Sequence, residues 1–317
     1  MPNLFSSYFK KKGLLIKLFP IVLFVFTHNA SAYLQNEDDK PTIYFEYLPF
    51  VEAYKTQQAG NAVSASNLLF LQNTKNEAVI KFLPSIRLQT ELNADTEKPI
   101  CVLFKLKTSE RSDKYYFSLP ISFLPTTRIY LRPGMPPLPL ELLNEKSELK
   151  YIAPLFNDKQ NTILFWGDIS YGELVDNALK KLPSENKVVI KGVSSNGLLI
   201  NMIERGRADY AIMFPFEVAE FGSKELVFDL LSYKINGIEP ISTGHLMCNK
   251  NEASKAWLSK FNDILVEMYQ SAEFTKANTF NITPQEEILV INAINQVKSN
   301  TLKIKPIDYR ATADKQH

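Results

Sequence analysis

The residue with the clearest chemical potential is Arg111, an isolated cation between two apolar stretches. It follows "ICVLFKL" (100–106), stands three residues after Thr108, and precedes the aromatic segment "YYFSLP" (115–120). A guanidinium at the end of a buried strand is costly unless it meets an anion, and it can hold a carboxylate through two parallel hydrogen bonds. The anion is either a neighbouring acid, such as Glu110 or Asp113, or the carboxylate of a ligand.

Most catalytic chemistries have no support in the residue patterns. The sequence contains three histidines, so a Ser-His-Asp triad would depend on His245, and no nucleophile-elbow glycines accompany it. C-x-x-C, H-E-x-x-H and G-x-x-x-x-G-K patterns do not occur, which argues against a metal site and against a nucleotide cofactor. We therefore expect no cofactor, no metal and no enzymatic activity. A carboxylate-based dehydratase or a peptidoglycan-cleaving enzyme is the less favoured alternative.

Two cysteines, Cys101 and Cys248, lie in apolar stretches that resemble strands. In an oxidising compartment they either form a disulfide or stay as two buried thiols, because the sequence does not show which residues are close in space.

The N-terminal segment, residues 1–32, has the pattern of a secretory signal peptide. It holds four lysines and no acid, then the apolar run "LFPIVLFVF" and the small residues Ala30-Ser31-Ala32, which predict cleavage after Ala32. The alternative, a membrane anchor, is less favoured because the run is shorter than the roughly 20 residues that span a bilayer. Bacterial export to the periplasm is the natural interpretation.

The net charge of the mature chain argues against nucleic acid and anionic membrane surfaces as partners. Four of the 36 basic residues lie in the signal segment, so the mature chain, with 34 acidic residues, has a net charge of about −2. A chain without a basic face has no electrostatic basis for binding nucleic acid or an anionic membrane surface.

The elements that must position Arg111 follow from hydrophobic patterning. In the first half, "TIYFEYLPF" (42–50), "EAVIKFLP" (77–84) and "ICVLFKL" predict strands, and "SASNLLFLQN" (64–73) predicts a short helix. The stretch "RIYLRPGMPPLPLELL" (128–143) contains four prolines and a glycine, which indicates an extended connector and a domain boundary.

Beyond the connector, strands and helices alternate, which predicts parallel β-α-β units. A long helix over 254–274 and a final helix near 284–297 follow the strand "GHLMCNK" (244–250). Two α/β units on either side of a connector suggest two lobes, and a cleft between lobes is the default place for a ligand.

Several motifs, taken in order, resemble those of the periplasmic solute-binding proteins of the amino-acid type. "T-S-E-R" (108–111) followed by "F-S-L-P" (117–120) is similar to the family's T-x-x-R and F-S-x-P pair. "ERGRADYAIM" (204–213) is similar to its G-x-x-D turn, and the segment 243–268 to its returning strand and helix. The resemblance covers about residues 40 to 300. It is strongest to a poorly characterised branch with a cysteine ahead of the T-x-x-R strand.

This resemblance implies a two-lobed α/β fold of the type 2 periplasmic-binding class, with two crossover strands and hinged closure on a ligand. The implied ranges are 1–32 for the signal peptide, 40–128 plus 242–300 for lobe 1, 129–241 for lobe 2 with hinge segments, and 301–317 for a flexible tail.

The same resemblance assigns ligand-binding roles by position. Arg111 would bind a ligand carboxylate, and Thr108 would add hydroxyl and backbone hydrogen bonds. The helix after "WGDIS" (166–170) would offer its N–H groups to the same anion. Tyr47 and Phe50, after the first strand, would form aromatic pocket walls. Asp168, Ser170 and Tyr171, near that helix start, are the other implied ligand-binding positions.

Two departures from the family pattern affect the expected ligand. Phe214 stands where amino-acid binders carry an acid for the ligand amine, and Gly60 is followed by Ser64 where an acid is usual. Phe214 is then either a pocket residue or simple core. Both changes remove anionic partners, so the pattern favours an uncharged or carboxylate-bearing solute over an α-amino acid.

The function that these patterns indicate is capture of a small solute by a monomeric exported protein, for delivery to an ABC-type membrane permease. The alternative is a ligand-sensing accessory protein with a membrane sensor as its partner.

Overall fold

The computed structural model describes residues 40–46, 48–74, 77–156, 160–192, 197–222 and 230–303. The predicted signal peptide, Tyr47 and residues 304–317 of the predicted tail lie outside the described residues. Residues 301–303, which the prediction placed in the tail, are the last of a long helix. Within the described ranges, no helix is both long and apolar enough to cross a membrane.

The described residues form strands that fall into two sheets. In chain order the strands are β1 (Thr42–Phe45), β2 (Val79–Phe82), β3 (Ile100–Leu106), β4 (Tyr115–Phe117), β5 (Ser122–Pro125), β6 (Arg128–Leu131), β7 (Ile163–Trp166), β8 (Lys187–Ile190), β9 (Tyr210–Met213), β10 (Ser232–Tyr233) and β11 (Ile241–Asn249).

Helices pack on both sheets. In chain order they are α1 (Leu48–Thr56), α2 (Ala62–Asn73), α3 (Ser85–Leu92), α4 (Ser109–Lys114), α5 (Glu173–Lys181), α6 (Leu198–Glu204), α7 (Pro215–Phe221), α8 (Glu252–Met268), α9 (Ala272–Asn278) and α10 (Pro284–Lys303). Single 3-10 turns lie at Leu140–Leu142, Ala153–Phe156 and Ser184–Asn186.

The first sheet has the order β2-β1-β3-β11-β4, and β5 also pairs with β11. β1 is parallel to β2 and β3, whereas β11 runs antiparallel to β3, β4 and β5. The second sheet has the order β10-β6-β9-β7-β8, in which β7 is parallel to β8 and β9 and β6 is antiparallel to β9. We call the first sheet with α1–α4 and α8–α10 lobe 1, and the second sheet with α5–α7 lobe 2.

The chain passes between the lobes twice, from β5 to β6 and from β10 to β11. At the first passage only Thr126 and Thr127 separate two strands of different sheets. Thr126 N donates to Pro240 O over 3.0 Å, and its hydroxyl contacts the Ser242 hydroxyl at 2.9 Å, so the two passages lie side by side. Two adjacent crossings of this kind allow the lobes to rotate about a hinge.

The chain changes sheets before the proline-rich stretch, whereas the sequence pattern placed the boundary along it. Residues Arg128–Leu131 are already a strand of lobe 2: Ile129, Tyr130 and Leu131 are all buried, and the strand pairs antiparallel with β9. The prolines that follow lie within lobe 2, where the Leu138 N–H donates to the Tyr233 hydroxyl over 3.0 Å.

Other sequence predictions differ from the structure in their limits. The predicted long helix over 254–274 is two helices, α8 and α9, because the Ser271 hydroxyl caps a new helix by accepting from Phe274 N. The predicted first strand ends at Phe45, and residues 48–50 begin α1. The short helices α1, α3, α4 and α7 were not predicted.

Each lobe has its own hydrophobic core, and the lobe 1 core contains a disulfide. Cys101 in β3 and Cys248 in β11 face each other directly across the antiparallel pair, with their Cα atoms 4.0 Å apart, and both are fully buried. The bond closes a loop of 147 residues that includes all of β6–β10.

Candidate functional site

A cavity lies between the lobes, at the carboxyl ends of β1, β3, β7 and β9. Its enclosed volume is about 70 Å³, and it opens toward solvent. Lobe 1 lines it with Glu46, Ser85, Phe104, Lys105, Leu106 and Arg111. Lobe 2 lines it with Trp166, Asp168, Ile169, Ser170, Gly192, Phe214, Phe216 and Glu217. The cavity is therefore apolar over much of its wall and charged on the lobe 1 side.

Arg111 is positioned by the short helix α4. The Thr108 hydroxyl caps this helix by accepting from Arg111 N over 3.3 Å, and the guanidinium Nη1 donates to Leu106 O over 3.0 Å. Among the described residues Arg111 forms no ion pair. Burial lowers its pKa, while the charges of Asp176 and Glu46 act in the opposite direction. Guanidinium stays protonated in proteins, so a positive charge with unused donors faces the cavity.

A second cation, Lys105, lies beside Arg111 but is already paired. Its ammonium forms a salt bridge with Glu46, the residue after β1, and the two side chains are only 9% and 13% exposed. The two residues end neighbouring strands, because β1 and β3 are parallel and terminate at the same edge. This ion pair leaves Arg111 as the charge that a ligand anion would neutralise.

The lobe 2 wall of the cavity is aromatic. Phe214 is 3% exposed and stacks between Tyr171 and Phe216, with ring centroids 5.9 and 5.8 Å away. Trp166 at the end of β7 completes the wall. Phe214 thus belongs to the core of lobe 2 and lines the cavity at the same time.

A buried acid, Glu217, also lines the cavity. Its carboxylate accepts from Phe214 N over 2.8 Å at the start of α7 and from the Trp166 side chain. Burial raises the pKa of Glu217 to about 7, because desolvation disfavours the charged form more than these hydrogen bonds favour it. Three carboxylates therefore line the cavity, Glu46, Asp168 and Glu217, and the sequence pattern had indicated Asp168 but neither glutamate.

In the turn after β7, several polar groups form hydrogen bonds within the turn and with helix α5. Helix α5 begins at Glu173, and its N-cap is Gly172. The φ of this residue is 98°, a backbone conformation that is unstrained only for glycine. The Asp176 carboxylate accepts from Tyr171 N over 2.9 Å and from the Ser170 hydroxyl over 2.5 Å. The Ser170 hydroxyl and the Tyr171 N–H, both near the helix start that was expected to face a ligand, are thus bonded to an acid of helix α5.

The structure brings four of the predicted site residues, Arg111, Asp168, Ser170 and Phe214, onto one cavity. Thr108 and Tyr171 line a groove on the other side of Arg111. Phe50 is buried behind Phe104, and Tyr47 lies outside the described residues. The ligand-binding roles of all of them stay predictions. Asp168 accepts from Gly192 N over 3.1 Å, so one of its oxygens is engaged.

Sequence reasoning missed Glu46, Phe104, Lys105 and Glu217. A charge at the end of an apolar strand, in "YFE" and "LFK", was an available signal for the first and third of these. In the part of the chain that the structure describes, no group of three or more His, Cys, Asp or Glu side chains is arranged to hold a metal ion.

No protein-family model and no curated protein sequence matches this chain. Solved structures do match it. A mutant of ArgBP from T. maritima superposes with a TM-score of 0.51 at 14% identity, over 76% of this chain and 94% of that one. A second structure is described for glutathione import via GshT and the cystine ABC importer TcyBC of Streptococcus mutans. It superposes with a TM-score of 0.53 at 13% identity, over 76% of this chain and 94% of that one.

A histidine kinase sensor domain with similarity to periplasmic binding proteins gives a TM-score of 0.50 at 11% identity, over 77% of this chain and 96% of that domain. At such identities these similarities show the fold alone. The predicted two-lobed α/β fold of the type 2 periplasmic-binding class is confirmed.

Proposed function

We propose that this protein, which has the two-lobed fold of periplasmic binding proteins, captures a small carboxylate-bearing solute between its lobes. The observation that carries the proposal is Arg111: a half-buried guanidinium in the interlobe cavity that forms no ion pair with any described residue. A buried cation without a counter-ion is unfavourable, and a ligand carboxylate would neutralise it with two parallel hydrogen bonds.

The rest of the cavity supports binding rather than catalysis. The described histidine, His245, is bonded within lobe 1 to Ser118 O over 2.8 Å and to the Thr243 hydroxyl over 2.9 Å, away from the cavity. The Ser170 hydroxyl donates to Asp176, and among the described residues no histidine contacts it to act as a base. We infer that the protein is not an enzyme and needs no cofactor.

In this proposal the protein is exported to the periplasm after cleavage behind Ala32 and acts as a monomer that delivers its ligand to an ABC-type permease. Ligand binding would hold the lobes together, and contacts between lobes already exist on both sides of the cavity. Asn61 donates to Glu220 on one side, and the Ser109 hydroxyl donates to Glu173 on the other. A permease could then recognise the closed arrangement.

The binding test uses purified mature protein and a set of small carboxylates, with amino acids, sugars and peptidoglycan fragments for comparison. A ligand raises the melting temperature because it binds only the folded state. Arg111→Ala should abolish the shift, and calorimetry should show a loss of affinity of about 100-fold, since a charge-assisted hydrogen-bonded pair contributes up to about 3 kcal/mol. Arg87→Ala, at an exposed position of α3, is the matched control and should bind like the wild type.

Arg111→Lys separates charge from geometry, because lysine keeps the charge without the planar fork and should bind with intermediate affinity. Unchanged affinity in the folded Arg111→Ala protein would refute the proposed carboxylate contact.

A sensory role is a second candidate, since the fold also occurs in a histidine kinase sensor domain. Deleting the gene distinguishes the two. Loss of uptake of the labelled ligand supports delivery, whereas normal uptake with a lost transcriptional response to that ligand supports sensing.

A further inference from the structure

Phe104, in the middle of β3, has a backbone conformation that side chains other than glycine rarely adopt. Its φ is +60°, in the left-handed region, where the Cβ of an L-residue crowds the following carbonyl group. Strain of this kind persists only where the surrounding structure imposes it, and it is concentrated at ligand-binding sites.

The strain is part of a β-bulge. β11 pairs Gly244 with Leu106 and His245 with Lys105, but Met247 pairs with Val102, so Leu103 and Phe104 together oppose Leu246 alone. Bulges redirect side chains and are frequent next to binding sites. Here the bulge ends the strict alternation of β3, and the consecutive residues Phe104, Lys105 and Leu106 all line the cavity.

The redirected ring lies between the lobes. Its centroid is 5.3 Å from that of Phe50 in lobe 1 and 6.3 Å from that of Phe216 in lobe 2, in edge-to-face arrangements. On its third side is Gly244 of the crossing strand β11, where a Cβ atom would come within 2.6 Å of the ring. The glycine therefore makes room for the ring, which closes the cavity on the side of the crossing strands.

We propose that Phe104 determines ligand size: its ring fills space that a longer ligand would need and restricts the cleft to short-chain carboxylates. This inference rests on the proposed function, because it assumes that Arg111 holds the carboxylate. The cavity that Phe104 lines measures about 70 Å³, which is small beside the roughly 300–1,000 Å³ of pockets for drug-sized ligands. Grooves of about 400 and 570 Å³ also border Arg111, but polar and charged side chains form most of their lining, so an apolar chain gains less there. Leu106 and Phe216, whose ring contacts that of Phe104, add apolar wall beside this position. A hydrocarbon chain that enters the enlarged space would therefore be buried favourably.

The test compares wild type, Phe104→Ala and Phe104→Gly against the sodium salts of the straight-chain carboxylates from acetate to octanoate, by calorimetry at neutral pH. We expect the wild type to bind the short members and to reject hexanoate and octanoate. In both variants the preferred chain should lengthen, and each methylene buried in the enlarged cavity should tighten binding about fourfold. Phe104→Leu, which disturbs packing less, should shift the preference in the same direction by a smaller amount.

Phe123 provides the matched control. It is 1% exposed in β5 and packs against Phe274, so Phe123→Ala creates a cavity in the same lobe away from the cleft. Its chain-length preference should equal that of the wild type.

Backbone strain gives a second measurement that needs no ligand. Phe104→Gly should melt about 2–4 °C above Phe104→Ala, because glycine adopts the left-handed conformation freely. At position 123 the order of melting temperatures should be reversed, with Phe123→Gly melting below Phe123→Ala. Phe123 has no positive φ, and glycine weakens an ordinary strand.

The outcomes separate this inference from the proposed function. If the wild type binds short carboxylates and the Phe104 variants keep its chain-length preference, the role of Phe104 is refuted and carboxylate binding stands. If the wild type binds none of these carboxylates, the proposed carboxylate ligand and the inference built on it both fall.

Discussion

Lobe 1 and lobe 2 line the same cleft with different chemistry. Lobe 1 contributes three charged side chains, Glu46, Lys105 and Arg111, which include both cations among the described lining residues. Lobe 2 contributes aromatic rings around Trp166 and two acids, the partly exposed Asp168 and the buried Glu217. The charged wall offers directional recognition of a polar group, and the aromatic wall excludes water and strengthens that recognition. The comparison suggests that a ligand would meet lobe 1 first through its carboxylate and would be desolvated when lobe 2 closes on it.

The lobes also differ in how the chain builds them. Lobe 1 is assembled from two distant parts of the sequence, which the Cys101–Cys248 disulfide joins across β3 and β11. Lobe 2 comes from one continuous part of the chain, and among the described residues it contains no disulfide. The covalent constraint is thus located in the lobe that carries Arg111.

The largest expected effect on stability tests this covalent difference. Replacing Cys101 and Cys248 together by alanine should lower the free energy of unfolding by about 2–5 kcal/mol, because the disulfide restricts a long loop in the unfolded chain. Urea unfolding measures the loss. Hydrogen exchange should show amides of β3 and β11 losing protection before those of β7 and β9; equal loss in both lobes would contradict the proposed asymmetry.

The next-largest expected effect is the pH dependence of stability that Glu217 causes in lobe 2. Its pKa is raised from 4.5 to about 7, so the folded protein keeps this proton to higher pH than the unfolded chain does. The associated stability is full below pH 4.5 and is lost as the pH rises through about 7, a difference of about 3 kcal/mol. Glu217→Gln cannot ionise and should lack this loss.

Denaturant unfolding at several pH values between about 5 and 8 tests this prediction, because the wild type should lose more stability than Glu217→Gln over that range. Glu252→Gln, an exposed acid in the first turn of α8, serves as the control and should follow the wild type. Parallel curves for wild type and Glu217→Gln would show that the acid does not titrate in this range.

His245, in lobe 1, should produce the opposite pH dependence. Burial lowers its pKa from 6.5 to about 4, so the unfolded chain takes up this proton first as the pH falls. Stability is full above pH 6.5 and is lost as the pH falls through about 4, again by about 3 kcal/mol. His245→Gln should lack this acid-side loss in unfolding experiments.

The two groups act against each other between pH 4.5 and 6.5. The wild type should therefore be less sensitive to pH in that interval than either single variant. If both variants changed the slope in the same direction, the opposite roles of the two lobes would be refuted.

The fold was largely predictable because it follows local patterns. Alternating apolar runs and amphipathic segments gave the β-α-β units of lobe 2, and the unbroken apolar run "ICVLFKL" gave the central strand β3. The short helices α1 and α4 were missed because one turn or two of helix have little periodicity of their own. The helix break at Ser271 was missed because it depends on a single capping hydroxyl.

The site was less predictable, because its shape depends on tertiary register. Arg111 was identified from its isolation beside apolar strands. The presence of Phe104 in the cavity depends on a bulge between two strands that lie far apart in the sequence. For Glu217, Pro215 at the start of α7 and an acid two residues later indicate a helix start, but the burial that raises its pKa arises only from the tertiary packing of the folded chain.

The disulfide has a further consequence for the integrity of the molecule. Any single peptide-bond cleavage between Cys101 and Cys248, which includes every loop of lobe 2, leaves two chain fragments that are still covalently joined. Because β3 and β11 lie side by side in one sheet, each fragment keeps its partner strand in register. A protease that nicks lobe 2 would thus leave lobe 1, with Arg111, as one covalent body.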